Sequence, residues 1–277
     1  MVGDRDRPSG WGGRILAGIV VLWFAALILV PTLALVKKAF EGGFQPFWGA
    51  LMSADARRAF GLTIAITVLA TVVNTLFGLA FAMVLVRQRF WGRALADGLV
   101  DLPFAVSPII AGLMLVIVYG PNGWLGRHLE AGGLKVVYAW PGMVLATLFV
   151  TTPFVVREVV PVLREFGIDQ EEVARTLGAG RWRTFWQVTL PSIRWGLAYG
   201  VTLTVARSLG EFGALLVVSG NILGRTQTAT LYIHDTIEGF QPEGAYAASV
   251  VLAGMSFVLL IGMELIRKHV SAKEEGG

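Results

Sequence analysis

REVVPVLREFGIDQEEVARTLGAGRWRTFWQVTLPSIR, residues 157–194, is the longest well-charged segment of a 277-residue chain that is otherwise mostly hydrocarbon. Asp169 followed by Glu172 has capping-box spacing, which starts a short helix at Gln170. After Leu177 come Gly178 and Gly180, residues able to take the left-handed conformation that closes a helix. The spacing thus predicts a helix about 12 Å long. Beyond the turn, Trp182, Phe185 and Trp186 fall at i, i+3 and i+4 and form one apolar face. Pro191 stands where the next helix begins, a first-turn position that tolerates the missing N–H.

On either side of this segment the sequence is apolar in runs of membrane-spanning length. Residues 15–36 carry no charge and reach across a bilayer. The run is longer than the apolar region of a signal peptide, which favours a retained span. Further runs cover about 60–86, 99–119, 136–156, 195–218 and 245–266. The expectation is an all-α integral membrane protein with six transmembrane helices, a polar tail at 1–14, a main transmembrane domain over 60–266 and a charged tail at 267–277. The third run holds Asp101, Pro103, Ser107 and Pro108, and two prolines there are tolerated only against protein or a wet cavity.

Composition agrees with this class. The chain is 55% hydrophobic and 15% charged, whereas soluble domains are about 25% charged. The formal charge of +4 is accounted for by loop arginines and does not point to nucleic acid. The chain has no cysteine, which removes disulfides, thiolate metal sites and cysteine nucleophiles. His128, His234 and His269 lie far apart, near span ends or loops, and read as solvated residues. No Gly-rich phosphate loop is present, so the chain does not bind ATP through that motif.

Six spans put both termini on one side. Fifteen Lys and Arg residues then fall on the side of the termini and the 157–194 loop, and seven on the other, leaving out Arg207 inside a run. The positive-inside rule places the first side in the cytoplasm.

Within the spans a few polar residues stand out. Thr63, Thr67, Thr71, Asn74 and Gly78 form a small, polar stripe in the second run, suited to a packing seam or to a pathway lining. Thr147, Thr151 and Thr152 form the polar side of the fourth. Arg207 and Glu211 lie in the fifth, where a charge costs at least about 2.5–3.5 kcal/mol and is paired or functional. Their i, i+4 spacing puts them on one helical face. Arg207, Glu211, Asn74 and Thr151 are therefore candidates for a pathway or for an intramembrane ion pair and its packing.

Glu172-Val173-Ala174, three residues, Gly178, nine residues, Val188, one residue and Leu190-Pro191 resemble the cytoplasmic loop signature of membrane subunits of type I ABC importers. The departure is Val173 where the signature has Ala. The resemblance widens to DLPFAVSPIIAGL (101–113), LATLFVTTPFVVREVVP (145–161) and ARSLGEFGALLVVSGNILGRTQT (206–228), which are similar to sulfate/thiosulfate permeases. Molybdate and tungstate permeases share the loop and the segment around Glu211, while the third run and VVSGNI favour the sulfate group.

This resemblance implies a non-catalytic permease subunit of the inner membrane that moves a tetrahedral oxyanion by alternating access. It binds no cofactor itself. Its implied partners are an ATPase dimer that uses ATP, a second permease subunit, an external binding protein and lipid. Glu171, Glu172, Ala174, Gly178, Leu190 and Pro191 are the implied ATPase-coupling residues, and Trp182, Phe185 and Trp186 the face that packs the loop tightly. A secondary transporter or a membrane scaffold are the alternatives from other classes, and neither needs an ATPase.

Overall fold

The computed structural model describes residues 11–240 and 242–274. The expected tail residues 1–10 and 275–277 lie outside them. Every regular element among the described residues is helical. In chain order these are α1 (Trp11–Ala39), α2 (Phe44–Leu51), α3 (Ala54–Arg87), α4 (Arg93–Val100), α5 (Leu102–Ala105), α6 (Pro108–Tyr119), α7 (Gly126–Ala131), α8 (Trp140–Phe166), α9 (Asp169–Thr176), α10 (Arg181–Thr184), a π segment (Phe185–Thr189), α11 (Leu190–Leu209), α12 (Gly213–Val218), α13 (Ala229–Glu238) and α14 (Pro242–Glu274). Among the described residues, four helices are long and apolar enough to cross a membrane: α1, α3, α8 and α14 over Pro242–Ile266.

The core is a three-helix unit of α3, α8 and α11, closed by α6, α12 and α13 at one end. Its tightest point is Val155 of α8. A Cβ on Gly78 of α3 would stand 2.8 Å from the Val155 Cβ, and a Cβ on Gly200 of α11 would stand 2.9 Å from the Val155 Cα. Small residues at such positions let helices associate where lipid supplies no hydrophobic drive between them. One turn up the seam, Asn74 Nδ2 donates to the Leu148 carbonyl (3.0 Å) and to Thr151 Oγ1 (2.8 Å). The stripe on α3 is thus largely a seam. Thr63 Oγ1 accepts from the Ala229 N–H at the start of α13, while the buried Thr67 and Thr71 hydroxyls have no hydrogen-bond partner among the described residues.

Several boundaries differ from the sequence reading. The third run is not one helix: Asp101 and the Val106–Ser107 junction divide it into α4, α5 and α6. Pro103 and Pro108 remove N–H groups at these points, and each sits in the first turn of the helix that follows. The fifth run is divided at Gly210–Phe212 into α11 and α12. Within the 157–194 segment α8 continues to Phe166 and α10 begins at Arg181, so the connection is only Gly167–Gly180, with α9 inside it. The continuation is held by Arg157, whose Nε and Nη2 fork onto the Asp101 carboxylate at 2.6 Å each and whose Nη1 reaches Asp97 Oδ1 at 2.7 Å. Helix α14 likewise runs past Ile266 to Glu274, and 219–244 contains α13 with Leu231 fully buried.

Replacing Gly78 by Leu places a branched side chain where only a hydrogen fits against Val155. The expected outcome is a loss of at least about 1–3 kcal/mol from overpacking, read as a lower unfolding temperature and less folded protein extracted from the membrane.

Candidate functional site

Two sites carry the candidate residues, one at each end of α11. At the first, α9 leaves α8 through Gly167 and Ile168. Ile168 occupies the N-cap with no side-chain bond, so the helix begins at Asp169 rather than at Gln170, and the Asp169–Glu172 capping box does not form. Asp169, Glu171 and Glu172 still place negative charge in the first turn, where the helix dipole favours it. The other end closes as a Schellman turn. Gly178 has φ +86°, its N–H donates to the Arg175 carbonyl, and the Ala179 N–H donates to the Ala174 carbonyl, both at 3.0 Å. Gly180 is extended and takes no part in the left-handed turn.

Glu171 is the only buried residue of α9. Its Oε1 accepts from Arg87 Nη2 at the end of α3 and from Thr189 Oγ1 at the end of the π segment, each at 2.9 Å. Arg175 Nη2 lies 3.7 Å from Oε2. Glu172, the first residue of the motif, is exposed. So are Ile168, Val173 and Leu177, and Leu177 is 82% exposed. An acidic and apolar surface therefore faces away from the bundle. The partnership of Glu171 with Arg87 was not read from the sequence. The signal present was a second glutamate beside the motif residue and an arginine, the first of Arg87, Arg89 and Arg93, at the end of an apolar run.

Trp182 and Phe185 stack at 6.1 Å between ring centroids, and Trp186 meets both edge-on at 5.7 and 5.5 Å. The face they form does not pack the loop down, since Trp182 is 74% and Trp186 51% exposed. Pro191 does not open a new helix. Arg181 to Leu209 is one continuous helical path, and the chain meets the proline with a π turn in which the Leu190 N–H reaches back to the Phe185 carbonyl. Widening the turn is a recognised way to pass a residue that lacks the N–H.

At the far end of α11, Arg207 Nη1 lies 2.8 Å from Glu211 Oε2. The two do not share one helical face, because α11 ends at Leu209 and Glu211 sits in the break before α12. Glu211 is 1% exposed. Its Oε1 accepts from the Ala214 N–H (2.9 Å), which serves the free N-terminus of α12, and its backbone carbonyl accepts from Thr230 Oγ1 (2.7 Å) of α13. One residue thus joins three helices. The Arg207 side chain remains a third exposed. Asn74 and Thr151 lie in the α3–α8 seam and are brought to neither charge by any hydrogen bond. The described residues contain no cluster of metal-binding side chains.

Removing Arg207 leaves the buried Glu211 carboxylate without its counter-charge, whereas removing Glu211 uncaps α12 and leaves Arg207 to solvent. Arg207→Ala is expected to cost about 3–5 kcal/mol as a stranded buried charge, Glu211→Ala about 0.5–2 kcal/mol as a lost cap, and the double variant less than Arg207→Ala. Thermal unfolding of the four purified proteins checks the order. Equal stability of both single variants with the parent contradicts it.

Residues 74–273 match the family described as binding-protein-dependent transport system inner membrane component. The chain is 48% identical to the sulfate transport system permease protein CysW of Synechococcus elongatus over 89% of this chain and 86% of that protein. It is 42% identical to CysW of Escherichia coli K12 over 97% and 92%, and 36% identical to CysT of the same strain over 96% of each. In fold it is similar to a bacterial ABC transporter that imports the acidic polysaccharide alginate, with a TM-score of 0.78 over 94% of this chain and 96% of that one at 18% identity. With an all-helical bundle, four spans of membrane length and a family match over most of its residues, the chain belongs to the inner membrane components of binding-protein-dependent transport systems.

Proposed function

We propose that this chain is one permease subunit of an ATP-driven importer of sulfate or thiosulfate, and that α9 is the helix through which an ATPase subunit acts on it. The substrate follows from the CysW and CysT relatives, whose likeness extends over nearly the whole chain. The coupling role rests on one observation: α9 stands clear of the bundle, with Val173 and Leu177 exposed beside Glu172, yet is tied to α3 and α11 through Glu171.

In this reading the chain crosses the inner membrane six times. Helices α1, α3, α8 and α14 make four crossings, α4 to α6 together make the third, and α11 with α12 the fifth. Both termini and α9 face the cytoplasm, as the lysine and arginine distribution supports. A second permease subunit completes the pathway, an external binding protein delivers the oxyanion, and ATP is bound and hydrolysed only on the partner chains. Interrupted helices next to a charge are where a membrane transporter places its polar contacts. Arg207, partly exposed beside the break, offers positive potential there, and Glu211 holds it.

Reconstitution with the neighbouring ATPase, sister permease and binding protein in vesicles tests the function. Labelled sulfate is expected to enter only with ATP, with thiosulfate competing. Uptake without ATP, or uptake of molybdate and not sulfate, overturns the reading. Within the same system Arg207→Gln is expected to insert normally and to lower uptake at least about ten-fold, the loss of about 1.4 kcal/mol of anion stabilisation.

Orientation has a separate test. The chain has no native cysteine, so a single cysteine at Gly180 is expected to resist an impermeant thiol reagent in intact cells, and one at Ala131 to react. Labelling at Gly180 from outside reverses the topology.

A further inference from the structure

We infer that Glu171 is a positioning residue, the polar joint by which α9 carries movement into α3 and α11 together. The inference rests on the coupling role proposed for α9. Three observations carry it.

The first is how little else holds α9. It lies against α10 and the π segment, and of its eight residues only Glu171 is buried. Its apolar side chains Val173 and Leu177 point to solvent. An element without an apolar face buried in its own bundle is fixed by whatever specific contacts it makes.

The second is where those contacts lead. One oxygen of Glu171 is shared between Arg87 and Thr189, both at 2.9 Å. Arg87 is the last residue of α3 and Thr189 the last of the π segment that opens into α11. Helix α3 is about 51 Å long, and its far end bonds α13 through Thr63. Helix α11 ends at Leu209, just before Glu211, which bonds α12 and α13. A displacement of Glu171 therefore enters both helices at one end, and the Glu211 junction lies at the other.

The third is the environment of the joint. Arg87, Glu171 and Thr189 line a cavity of 540 Å³ that also borders Arg175, Arg181 and Phe185. Thr189 is 1% exposed and the Arg87 side chain 14%. Charge-assisted bonds with little competing water are stiff in length. They also tolerate rotation about the contact better than an interdigitated apolar seam does, because no shape must be matched. Beside open space this gives a link that transmits a push yet lets α9 turn. Glu172, one position on, is exposed and takes no part in it.

The test uses the full-length chain in lipid vesicles. Spin labels are placed at Val173→Cys on α9 and Phe77→Cys on the exposed side of α3, and the distance distribution between them is measured. The parent is expected to give one narrow distribution, and Glu171→Gln and Arg87→Met a broad one. Glu171→Gln keeps the volume and the Thr189 contact, and Arg87→Met leaves Glu171 its contact with Thr189, so either variant alone decides the matter. In the reconstituted importer the same variants are expected to raise the ATP hydrolysed per sulfate imported about five-fold or more, the low end of measured coupling energies. A purely structural role lowers the amount of protein but leaves this ratio at the parent value. An unchanged distance distribution, or an unchanged ratio, overturns the inference. If the parent itself moves no sulfate, the transport reading fails, while the distance measurement still decides whether Glu171 anchors α9.

Discussion

Val155 sits in two notches at once, with Gly78 of α3 on one side and Gly200 of α11 on the other. Backbones that approach this closely cannot slide past each other without a side chain crossing the gap, so α3, α8 and α11 behave as one body. The polar features are hung on that body. Asn74 crosses from α3 to α8 just above it, Glu171 grips the near ends of α3 and α11, and Thr63 and Glu211 reach α13 from the far ends. Without the three-helix contact, a force applied at α9 would be lost between independent helices.

The price of a broken helix in hydrocarbon is a set of backbone groups without partners. At Gly210–Phe212 that demand is met by a carboxylate that is itself neutralised by an arginine. Such pairs add little net stability against an apolar replacement, yet an apolar residue at 211 could not serve the Ala214 N–H. The same logic holds at the other interrupted run. There Asp97 and Asp101 tie the short helices to α8 through the Arg157 fork. At both interrupted runs an ion pair spans the break.

The long helices and the turn that ends α9 are legible in the sequence because lipid simplifies the code: length and hydropathy find a span, and Gly178 marks the end of α9 by a backbone conformation few other residues accept. What could not be read were relations between distant residues. Arg157 counted as one more loop arginine, because its partners lie 56 and 60 positions earlier. The resemblance puts Glu171 among the coupling residues but gives it no partner in the bundle, since burial on a polar helix leaves no periodic trace. Arg207 and Glu211 were placed on one face by an i, i+4 spacing that assumed an unbroken helix, and Gly210 broke it. Pro191 reads locally as a helix start, yet a proline has two local solutions, a fresh N-terminus or a widened turn, and the surrounding packing selects between them.

That widened turn has a consequence for how such chains can vary. A π turn amounts to one residue more than a straight α-helix would use, and each residue of an α-helix turns its side chains by about 100°. The stretch Phe185–Thr189 therefore sets the azimuth of everything after it, including which way Arg207 points and which side of α11 presents Gly200 to Val155. The number of residues between the Gly178 turn and Leu190-Pro191 is thus a phase, not a spacer length. A single insertion or deletion there would rotate the whole of α11 out of register with α8.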